Sequence, residues 1–426
     1  MKYRLLTGLR LLLTLASASW KLQAAEPPLE WVDPDTGHRI IRLSRDGGTE
    51  SLYFHQNAYT PKGDKMVMLT PDGVATVDLK TRQIDLVVPG VARTTNFTTN
   101  FIAGVVVGRK SPTVYYSRWN GSNNVAYAAD LDTHATRQIG ILPGRGRVGS
   151  LATVNADETW LAGSYLEGRP TNLDRVFHDP QRSKGQWMEE LFQMHLPMRL
   201  FTMDTKTGKV HTFNPSTDWL NHVQASPTDP DLLMFCHEGP WHLLDRIWTV
   251  RPSGGQPQLI HRRTIKMEIA GHEFFGADGR MIWYDLQTPR GKEFWVGGYE
   301  IATGQQTRYH LERNQWSVHY NVSRDGSLFA GDGGDEGMVA HAPDGKWIYL
   351  FRPELERARG GAGLPEKAGL VKTGVFHAER LVNMKKHDYS LEPNVNFTPD
   401  GKWIVFRSNM FGPAHVFAVE VAKNEK

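Results

Sequence analysis

Imidazole is the most conspicuous reactive group of this 426-residue chain, which contains 17 histidines. His272 and His319 each lie four residues before a recurring turn phrase, GADGR in one case and SRDGS in the other. Equal offsets in successive repeats predict equal radial positions, so we expect the two rings to lie together near the axis of the repeats. A neutral imidazole near pH 7 can remove a proton or bind a metal ion. A lone histidine is more often structural, so the functional interpretation depends on this convergence.

A second group of polar residues occurs in the segment FCHEGPWHLLDRIW, which begins at Phe235. His237 and Arg246 follow a turn in this segment, and we expect them to flank the histidine pair from the preceding repeat. A guanidinium offers a planar match with two donors to a carboxylate. The structural alternative is an arginine that pairs only with Asp245 or Glu238.

The elements that must position these residues belong to a repeat whose copies start about 45 to 75 residues apart. Each copy has a small or hydroxyl residue, a P-D-G-K-like turn and an apolar strand, and many copies add a D-x-x-T-G-like hairpin. The seven copies begin at Thr60, Lys110, Asn155, Ser226, Gly276, Ser323 and Thr398. About four short strands per unit at this period are typical of a propeller, so the sequence predicts an all-β, seven-bladed β-propeller. We expect residues 38–43 to pair with the last blade and close the ring.

Two of the spacings are longer than the others and predict loop insertions. The first covers about residues 167–197 and contains SKGQWMEELFQMHLPMRL, which predicts a short helix. The second covers about residues 335–392 and includes the glycine-rich stretch RGGAGLPEKAG. Loops on a rigid scaffold often carry binding residues, although a surface insertion without a function is the alternative.

The first 24 residues have the pattern of a secretory signal peptide. Lys2, Arg4 and Arg10 precede a short leucine-rich run, and an A-x-A sequence follows at residues 16–18. We therefore expect an exported protein, periplasmic or secreted, in which residues 25–426 form a single propeller domain. Cleavage after Ala18 removes these three basic residues and takes the formal net charge from +3 to 0, so the charge gives no reason to expect nucleic acid as a partner.

The composition excludes or disfavours several other classes of protein. The single cysteine, Cys236, excludes an intramolecular disulfide and a cysteine zinc cluster. The chain has no G-x-S-x-G, P-loop or Rossmann glycine pattern. It also lacks an apolar run of the roughly 18 residues that span a membrane, so no stable membrane insertion is expected. The oligomeric state stays open.

Over most of its length the chain resembles the oligogalacturonate lyases, a family of polysaccharide lyases with a seven-bladed β-propeller fold. The segment FCHEGP and the two spaced histidines are the specific part of the resemblance, because T-P-D-G-K turns occur in many periplasmic propellers. The matching segments are YFHQNAYTPKGDK, MRLFTMDTKTGKV, FCHEGPWHLLDRIW, GHEFFGADG, SVHYNVSRDGSLFAGDG and NFTPDGKWIVFRSN.

The resemblance implies a reaction, the β-elimination of short galacturonate oligomers. In this family a manganese ion binds the substrate carboxylate, and a histidine removes the proton at C5. Neutralising the carboxylate makes that proton acidic enough for a base to remove it near pH 7. Position by position, the resemblance implies that His272 is the base, Arg246 binds the carboxylate and His319 is a metal ligand. His237 and Tyr389 are further expected substrate contacts.

The chain departs from the family where the other metal ligands are expected. Tyr389, Glu392 and Asn394 stand at the positions of the family pattern Q-x-x-H-x-H, and His387 lies two residues before them. Oxygen ligands suit manganese or calcium. We therefore expect His319, Glu392, Asn394 and His387 to bind Mn²⁺, or Ca²⁺ or another divalent cation in its place.

Two other functions stay open at this point. One is a non-catalytic, envelope-associated propeller that binds proteins or carbohydrates. The other is a glycoside hydrolase, which needs two carboxyl groups facing one sugar. Glu238, Glu273 and Glu392 are the candidates for such a pair.

Overall fold

Short β-strands account for almost all the regular structure of the protein. The computed structural model describes residues 26–91, 101–144, 149–168, 183–356 and 371–423, so the predicted signal peptide and residues 357–370 of the second insertion lie outside the described residues. The strands are rich in β-branched and aromatic residues, as in MIWYDLQ and WIVFRS. Such residues favour strands, and these are buried on both faces because each sheet packs between two others.

The strands follow one another along the chain as seven successive groups. Two strands precede the first group: β1 (Glu30–Val32) and β2 (Arg39–Arg42). Blade 1 contains β3 (Glu50–Ser51), β4 (Lys65–Thr70), β5 (Gly73–Asp78) and β6 (Ile84–Pro89). Blade 2 contains β7 (Ile102–Val107), β8 (Thr113–Trp119), β9 (Asn124–Asp130) and β10 (Thr136–Ile141). Blade 3 contains β11 (Gly149–Val154), β12 (Trp160–Leu166), β13 (Met198–Asp204) and β14 (Val210–Ser216).

The remaining four blades continue the same pattern. Blade 4 contains β15 (Trp219–Ala225), β16 (Leu233–Glu238), β17 (Ile247–Val250) and β18 (Gln258–Leu259). Blade 5 contains β19 (Ile269–Phe275), β20 (Met281–Gln287), β21 (Phe294–Glu300) and β22 (Gln306–Leu311). Blade 6 contains β23 (Tyr320–Val322), β24 (Phe329–Gly331), β25 (Trp347–Leu355) and β26 (Lys372–Asn383). Blade 7 contains β27 (Asn396–Phe397), β28 (Trp403–Ser408) and β29 (His415–Glu420).

The ring closes at the seventh blade, as the sequence predicted. Strand β2 pairs antiparallel with β29, and β1 pairs with β2, so the start of the chain completes the last blade. Within each blade the strands pair antiparallel in chain order. Most blades form separate sheets. Blades 5 and 6 are joined into one eight-stranded sheet, because β22 pairs parallel with β26. The seven-bladed propeller is thus confirmed.

The repeated turn phrase connects the first and second strands of every blade. In blades 4 to 7 the turn is closed by backbone N–H groups of Ser226, Gly276, Ser323 and Thr398. The D-x-x-T-G-like hairpin connects the third and fourth strands, where the Asp78 or Asp204 carboxylate accepts backbone hydrogen bonds from the turn. Residues at one offset before the first turn therefore occupy equivalent positions around the ring.

Hydrophobic clusters fill the interfaces between neighbouring blades. Between blades 4 and 5, for example, Met234 and Ile247 pack with Ile282 and Tyr284. Another cluster joins blades 5 and 6 through Phe294 and ten or more further apolar side chains. These interfaces hold the blades face to face and fix the first strands around the central channel.

The two predicted insertions differ in content. The first contains the expected helix, α1 (Lys184–Gln193), whose N-terminus is capped by Ser183 and Gln186 in reciprocal hydrogen bonds. The second is a loop only in part, because β25 and β26 lie within it as the outer strands of blade 6. Its great length comes from an extended β25–β26 hairpin, whose last strand reaches β22. In the part of the chain that the structure describes, no helix is long and apolar enough to cross a membrane.

Candidate functional site

Three histidines from adjacent blades occupy the same position on the first strands. His222, His272 and His319 each lie four residues before the repeated turn in blades 4, 5 and 6, and Asn394 has this position in blade 7. The His272 and His319 rings are in contact, with centroids 4.6 Å apart. The expected convergence of these two rings is therefore present. His222 was not assigned to this set from the sequence, although its offset from Ser226 carries the same signal.

Local irregularity of the first strands turns these side chains toward the channel. The β15–β16 and β19–β20 registers each shift around the histidine, and His222 and His272 have positive φ values of 48° and 45°. Asn394 shares this conformation, with φ of 54°. Left-handed backbone at a residue other than glycine is uncommon and tends to be retained where function requires it.

A carboxylate lies behind each histidine of the set. The Nδ1 atoms of His222 and His272 lie 3.4 Å from Glu273 Oε1 and Asp285 Oδ2, respectively. His319 donates its Nδ1–H to Asp332 at 2.7 Å. The hydrogen bond to Asp332 fixes the tautomer of His319 and leaves its Nε2 free, whereas the other two carboxylates lie close to their histidines without a hydrogen bond.

His272 lies in a pocket of aromatic rings. Trp241 contacts its ring edge to face at 5.0 Å, and Phe54 lies on another side at 6.3 Å. Burial opposes protonation, but Asp285 outweighs it and raises the pKa of His272 above its ordinary value. The space beside the neighbouring Gly271 is occupied by Trp241, because a Cβ at Gly271 would lie 2.4 Å from that indole.

His319 is fully buried and held from several directions. Phe54 stacks on its ring at 4.7 Å, and Asp332 accepts both the backbone N–H and the Nδ1–H of His319. The Nε2 atom faces the Tyr53 hydroxyl at 3.2 Å and Glu392 Oε2 at 3.8 Å. The Nε2 atom of His319 is therefore directed to Glu392, whose side chain is 30% exposed.

The segment after β3 contributes the other aromatic groups of the centre. Tyr53 contacts the rings of His222 and His319, and His55 lies 5.9 Å from His222. Burial and the neighbouring histidines lower the pKa of His55 well below its usual value, so this imidazole is neutral. Burial also raises the pKa of Tyr53, which keeps its phenol protonated. This segment carries part of the family resemblance in the sequence, but the sequence pattern predicts no role for its residues.

Arg246 is enclosed by groups of the protein itself. Its guanidinium donates to Glu238, lies 3.8 Å from Glu273 Oε2, and stacks on Trp241 at 4.3 Å. Although burial favours the neutral acid, Arg246 holds the pKa of Glu238 at about 2. The expected role of Arg246 in binding a substrate carboxylate thus meets a guanidinium already paired with Glu238. The pairing with Glu238 is the alternative that the sequence analysis had left open.

Two further predicted residues, Asn394 and His387, have the polar atoms of their side chains bonded within the protein. The Asn394 amide donates to the Glu392 carbonyl, and its oxygen accepts the Phe54 N–H. His387 donates Nε2–H to the Leu391 carbonyl at 2.7 Å and accepts from the Ser408 hydroxyl at Nδ1. These bonds leave neither side chain a free ligand atom for a metal.

Tyr389 and His237 also have partners away from the histidine pair. The Tyr389 hydroxyl donates to the Asp332 carbonyl at 2.8 Å, which supports the residue behind His319. His237 points to the opposite face of β16 from Glu238, because side chains alternate along a strand. It bonds Asp218 at 2.7 Å and lies against Trp248. The expected substrate contacts of these two residues thus have no support in the geometry.

The donor set for a metal is therefore smaller than the sequence predicted. Among the described residues, no three His, Cys, Asp or Glu side chains are arranged to hold a metal ion. Of the predicted ligands, His319 Nε2 and the Glu392 carboxylate face each other at 3.8 Å. A histidine whose second nitrogen bonds a carboxylate, as here with Asp332, has the arrangement usual for metal ligands. These two residues fit a divalent cation, and Asn394 and His387 do not.

Cavities extend along the channel beside this centre. One, about 530 Å³, is lined mainly by residues of blades 1 to 4, among them Tyr53 and His55 after β3 and His222 on β15. His55 also lines two cavities of about 140 Å³ and 40 Å³ that lie nearer the repeated turns. The histidine centre therefore borders open space within the ring.

The fold and this centre together define a seven-bladed β-propeller with paired histidines and carboxylates at the middle of its channel. The sequence model described as oligogalacturonate lyase matches residues 29–424. The chain belongs to the oligogalacturonate lyase family, which confirms the resemblance found in the sequence.

Characterised relatives and solved structures agree with this assignment. The chain is 24% identical over 404 residues to an oligogalacturonate lyase of Dickeya dadantii, and 23% identical over 418 residues to an oligogalacturonide lyase of Pectobacterium atrosepticum. Each alignment covers 91% of this chain and 95% of the relative. A solved oligogalacturonate lyase in complex with manganese matches with a TM-score of 0.69 at 21% identity, over 92% of this chain and 96% of that chain. An oligogalacturonate lyase from Vibrio parahaemolyticus matches with a TM-score of 0.71 at 21% identity, over 93% and 97%.

Proposed function

We propose that this protein is a polysaccharide lyase that cleaves short oligogalacturonides by β-elimination. The observation that carries the proposal is the contact between His272 and His319 at the centre of the channel, each with a carboxylate behind it. Membership of the oligogalacturonate lyase family supports the substrate class.

In this proposal His272 removes the proton at C5 of the uronate. Asp285 lies at Nδ1, so Nε2 is the nitrogen left to accept the proton. The same carboxylate stabilises the imidazolium that forms, as the raised pKa of His272 indicates. Trp241 and Phe54 exclude water from the ring, which strengthens the interaction with Asp285.

The charges of the centre support the participation of a cation. Five carboxylates, from Glu238, Glu273, Asp285, Asp332 and Glu392, surround the three histidines, and Arg246 is paired with the first of them. An anionic uronate would be repelled by this surplus of negative charge.

Accordingly, His319 and Glu392 would hold a divalent cation, with manganese as the specific candidate. A cation bound there would neutralise the substrate carboxylate and so acidify the C5 proton. The family relative solved in complex with manganese supports this choice of ion. In the same scheme Asp332 orients His319, and Tyr389 and Asn394 hold Asp332 and the Glu392 segment in place.

Arg246 is a positioning residue in this scheme. It keeps Glu238 ionised and supports Trp241, the indole that covers His272. Binding of the substrate carboxylate to Arg246 itself would require this ion pair to open.

The reaction product provides the test. Elimination creates a double bond conjugated to a carboxylate, which absorbs in the ultraviolet, whereas hydrolysis produces new reducing ends without that absorbance. Purified protein incubated with di- and trigalacturonate and Mn²⁺ should increase the absorbance. A non-catalytic propeller would change neither signal. Reducing ends without absorbance would indicate a hydrolase, and either of these results would contradict the proposal.

We also propose that the protein is exported to the periplasm or secreted. The support is the basic, apolar and A-x-A pattern of residues 1–24. Fractionation of expressing cells, followed by sequencing of the N-terminus of the mature protein, tests this. A protein that retains Met1 in the cytoplasmic fraction would contradict it.

A further inference from the structure

The opposite end of the channel contains a second polar cavity that the lyase reaction does not use. The histidines lie four residues before the first turn of each blade, roughly 13 Å along a strand from the turn itself. The 140 Å³ cavity is lined at the turns by residues such as Pro61, Ala277 and Pro399. It therefore opens at the turn end of the ring, away from His272.

Two arginines from different blades face this cavity. Arg109 lies in the first turn of blade 2, and Arg324 lies in the first turn of blade 6. Within the described ranges, neither guanidinium has a hydrogen bond or an ion pair with another residue. Arg109 is partly buried and Arg324 is exposed, whereas the buried Arg246 and Arg407 pair with Glu238 and Glu50.

Among the described residues, no carboxylate pairs with Arg109 or Arg324. Burial and the charge of Arg324 lower the pKa of Arg109 to about 10, and no carboxylate contributes to that shift. Arg109 is therefore cationic at neutral pH, and the two guanidinium charges repel each other across the cavity.

The amides around the cavity do not supply the missing partner. Asn57 donates to the carbonyls of Tyr59 and Val107, and the Asn321 and Asn396 amides both donate to the Phe54 carbonyl. Among the described residues of the lining, the two guanidinium groups are the charged donors, and neither has a partner.

We propose that Arg109 and Arg324 form a binding site for a small oxyanion, either a uronate carboxylate or inorganic phosphate. Two guanidinium groups converging on one oxyanion satisfy their donors and cancel their mutual repulsion. The site is separate from the lyase centre and does not rest on the proposed reaction. His55 borders both this cavity and the large cavity beside His222, so the two ends belong to one channel.

The test compares thermal unfolding of the full-length protein at low ionic strength in three forms. These are the wild type, the Arg109→Gln/Arg324→Gln double variant and the Arg280→Gln control. Arg280 lies in the equivalent turn of blade 5 and is exposed, as Arg324 is, but it pairs with Asp278. Sodium phosphate, sodium galacturonate and neutral galactose are the three probes, and sodium chloride matches the ionic strength.

We expect phosphate, galacturonate or both to raise the Tm of the wild type and the control, and galactose to have no effect. The double variant should bind the effective anion at least about tenfold more weakly. Without an anion, the double variant should be as stable as the wild type or more so, because the repulsion is removed. The probes distinguish the two possible ligands. A response to phosphate alone indicates a phosphate site, and a response to galacturonate indicates a carboxylate site.

Equal responses of the wild type and the double variant to every anion would overturn the proposal, as would an equal loss in the control. Lyase activity is measured in parallel and should change by less than about threefold in the double variant. A failure of the lyase proposal would appear in that assay alone and leave the Tm comparison interpretable.

Discussion

The reactive centre of this propeller is built from one unit used repeatedly: a first-strand histidine with a carboxylate at its Nδ1 atom. His222, His272 and His319 share this unit, but their surroundings differ. His272 is enclosed by Trp241 and has a raised pKa, whereas burial lowers the pKa of His222 even though Glu273 acts in the opposite direction. In the proposed mechanism, one residue type thus supplies a base, a metal ligand and a neutral neighbour.

Replacing the base is the most direct test at this scale. His272→Ala should lower the turnover of digalacturonate by roughly 10² to 10⁴, the usual range for removal of a general base. The measurement is the ultraviolet absorbance rate, with circular dichroism to check the fold. His415→Ala is the matched control, because His415 is also buried but bonds Ser44, away from the site. Near-normal turnover in a folded His272→Ala protein would assign the base to another group.

The metal ligands can be separated from their supports. His319→Ala and Glu392→Gln should each weaken Mn²⁺ binding, measured by calorimetry, by about tenfold or more, because each removes a direct ligand. His387→Gln should bind Mn²⁺ nearly as well as the wild type, since both of its ring nitrogens already bond within the protein. Dialysis against a chelator should abolish lyase activity, and Mn²⁺ should restore it. Strong loss of Mn²⁺ binding in His387→Gln would return this residue to the ligand set.

Arg246→Lys should reduce activity although it preserves the charge. Lysine cannot span Glu238 and Glu273 while stacking on Trp241, since it lacks the planar fork. If Arg246 positions these groups, kcat should fall more than KM rises. A large rise in KM at constant kcat would instead favour direct binding of the substrate carboxylate. Wild-type kinetics with an intact fold would remove Arg246 from the site.

At the scale of elements, the link from β26 to β27 supports the site. This segment carries Glu392 and is fastened by three buried side chains: His387 to Ser408, Tyr389 to Asp332, and Asn394 to Phe54. His387 and Asn394, which we expected to be metal ligands, thus hold in place the loop that carries Glu392.

The two buried hydrogen bonds of the His387 ring should make the free energy of unfolding depend on pH. Burial lowers the pKa of His387 to about 4, below the roughly 6.5 expected in the unfolded chain. The unfolded chain therefore binds more protons between these values, and the stability present at pH 7 should fall as the pH drops from about 6.5 to about 4. The loss due to this group is at most about 3 kcal/mol.

Urea unfolding at a series of pH values checks this expectation. The groups facing His387 are Ser408, the Leu391 carbonyl, Asp332, Asp388 and Lys346. His387→Gln should be less stable than the wild type at pH 7 and should show a smaller change between pH 6.5 and 4. The same pH dependence in both proteins would assign the acid sensitivity to other groups.

Sequence reasoning succeeded where a pattern repeats and failed where contacts are specific to one place. The seven turn phrases fixed the blades and the pairing of His272 with His319, because equal offsets give equal positions in a ring. The same offset would have revealed His222. By contrast, nothing near Asn394 or His387 in the sequence shows that their polar atoms bond to Phe54, Glu392, Leu391 and Ser408. The sequence predicted a loop insertion where the β25–β26 hairpin lies, because the pairing of β26 with β22 joins residues that are far apart in the chain.

At the scale of the whole molecule, the start of the chain holds the ring together. Strand β2 completes blade 7, and Ile40 packs there against Phe417 and Ile404. The closing contacts join residues nearly 380 positions apart in sequence, as in the pairing of Ile40 with Val419. Every blade interface depends on this closure, because an open ring would expose two blade faces.

Weakening the closure should destabilise the entire propeller. Ile40→Ala should lower the free energy of unfolding by about 2 to 4 kcal/mol, since Ile40 is completely buried. Val32→Ala on the adjacent β1 is the control, and it should change little because Val32 is 56% exposed. Urea unfolding followed by tryptophan fluorescence measures both. An effect of Ile40→Ala no larger than that of the control would show that closure contributes little to stability.

The parallel pairing of β22 with β26 has a mechanical consequence for catalysis. In a propeller, neighbouring blades can slide against one another, because side-chain packing alone connects them. Blades 5 and 6 are instead joined through the backbone into one sheet, and these are the blades that carry His272 and His319. We therefore expect relative movement of the blades to be smaller between blades 5 and 6 than at the other interfaces, which would preserve the spacing of the His272 and His319 rings.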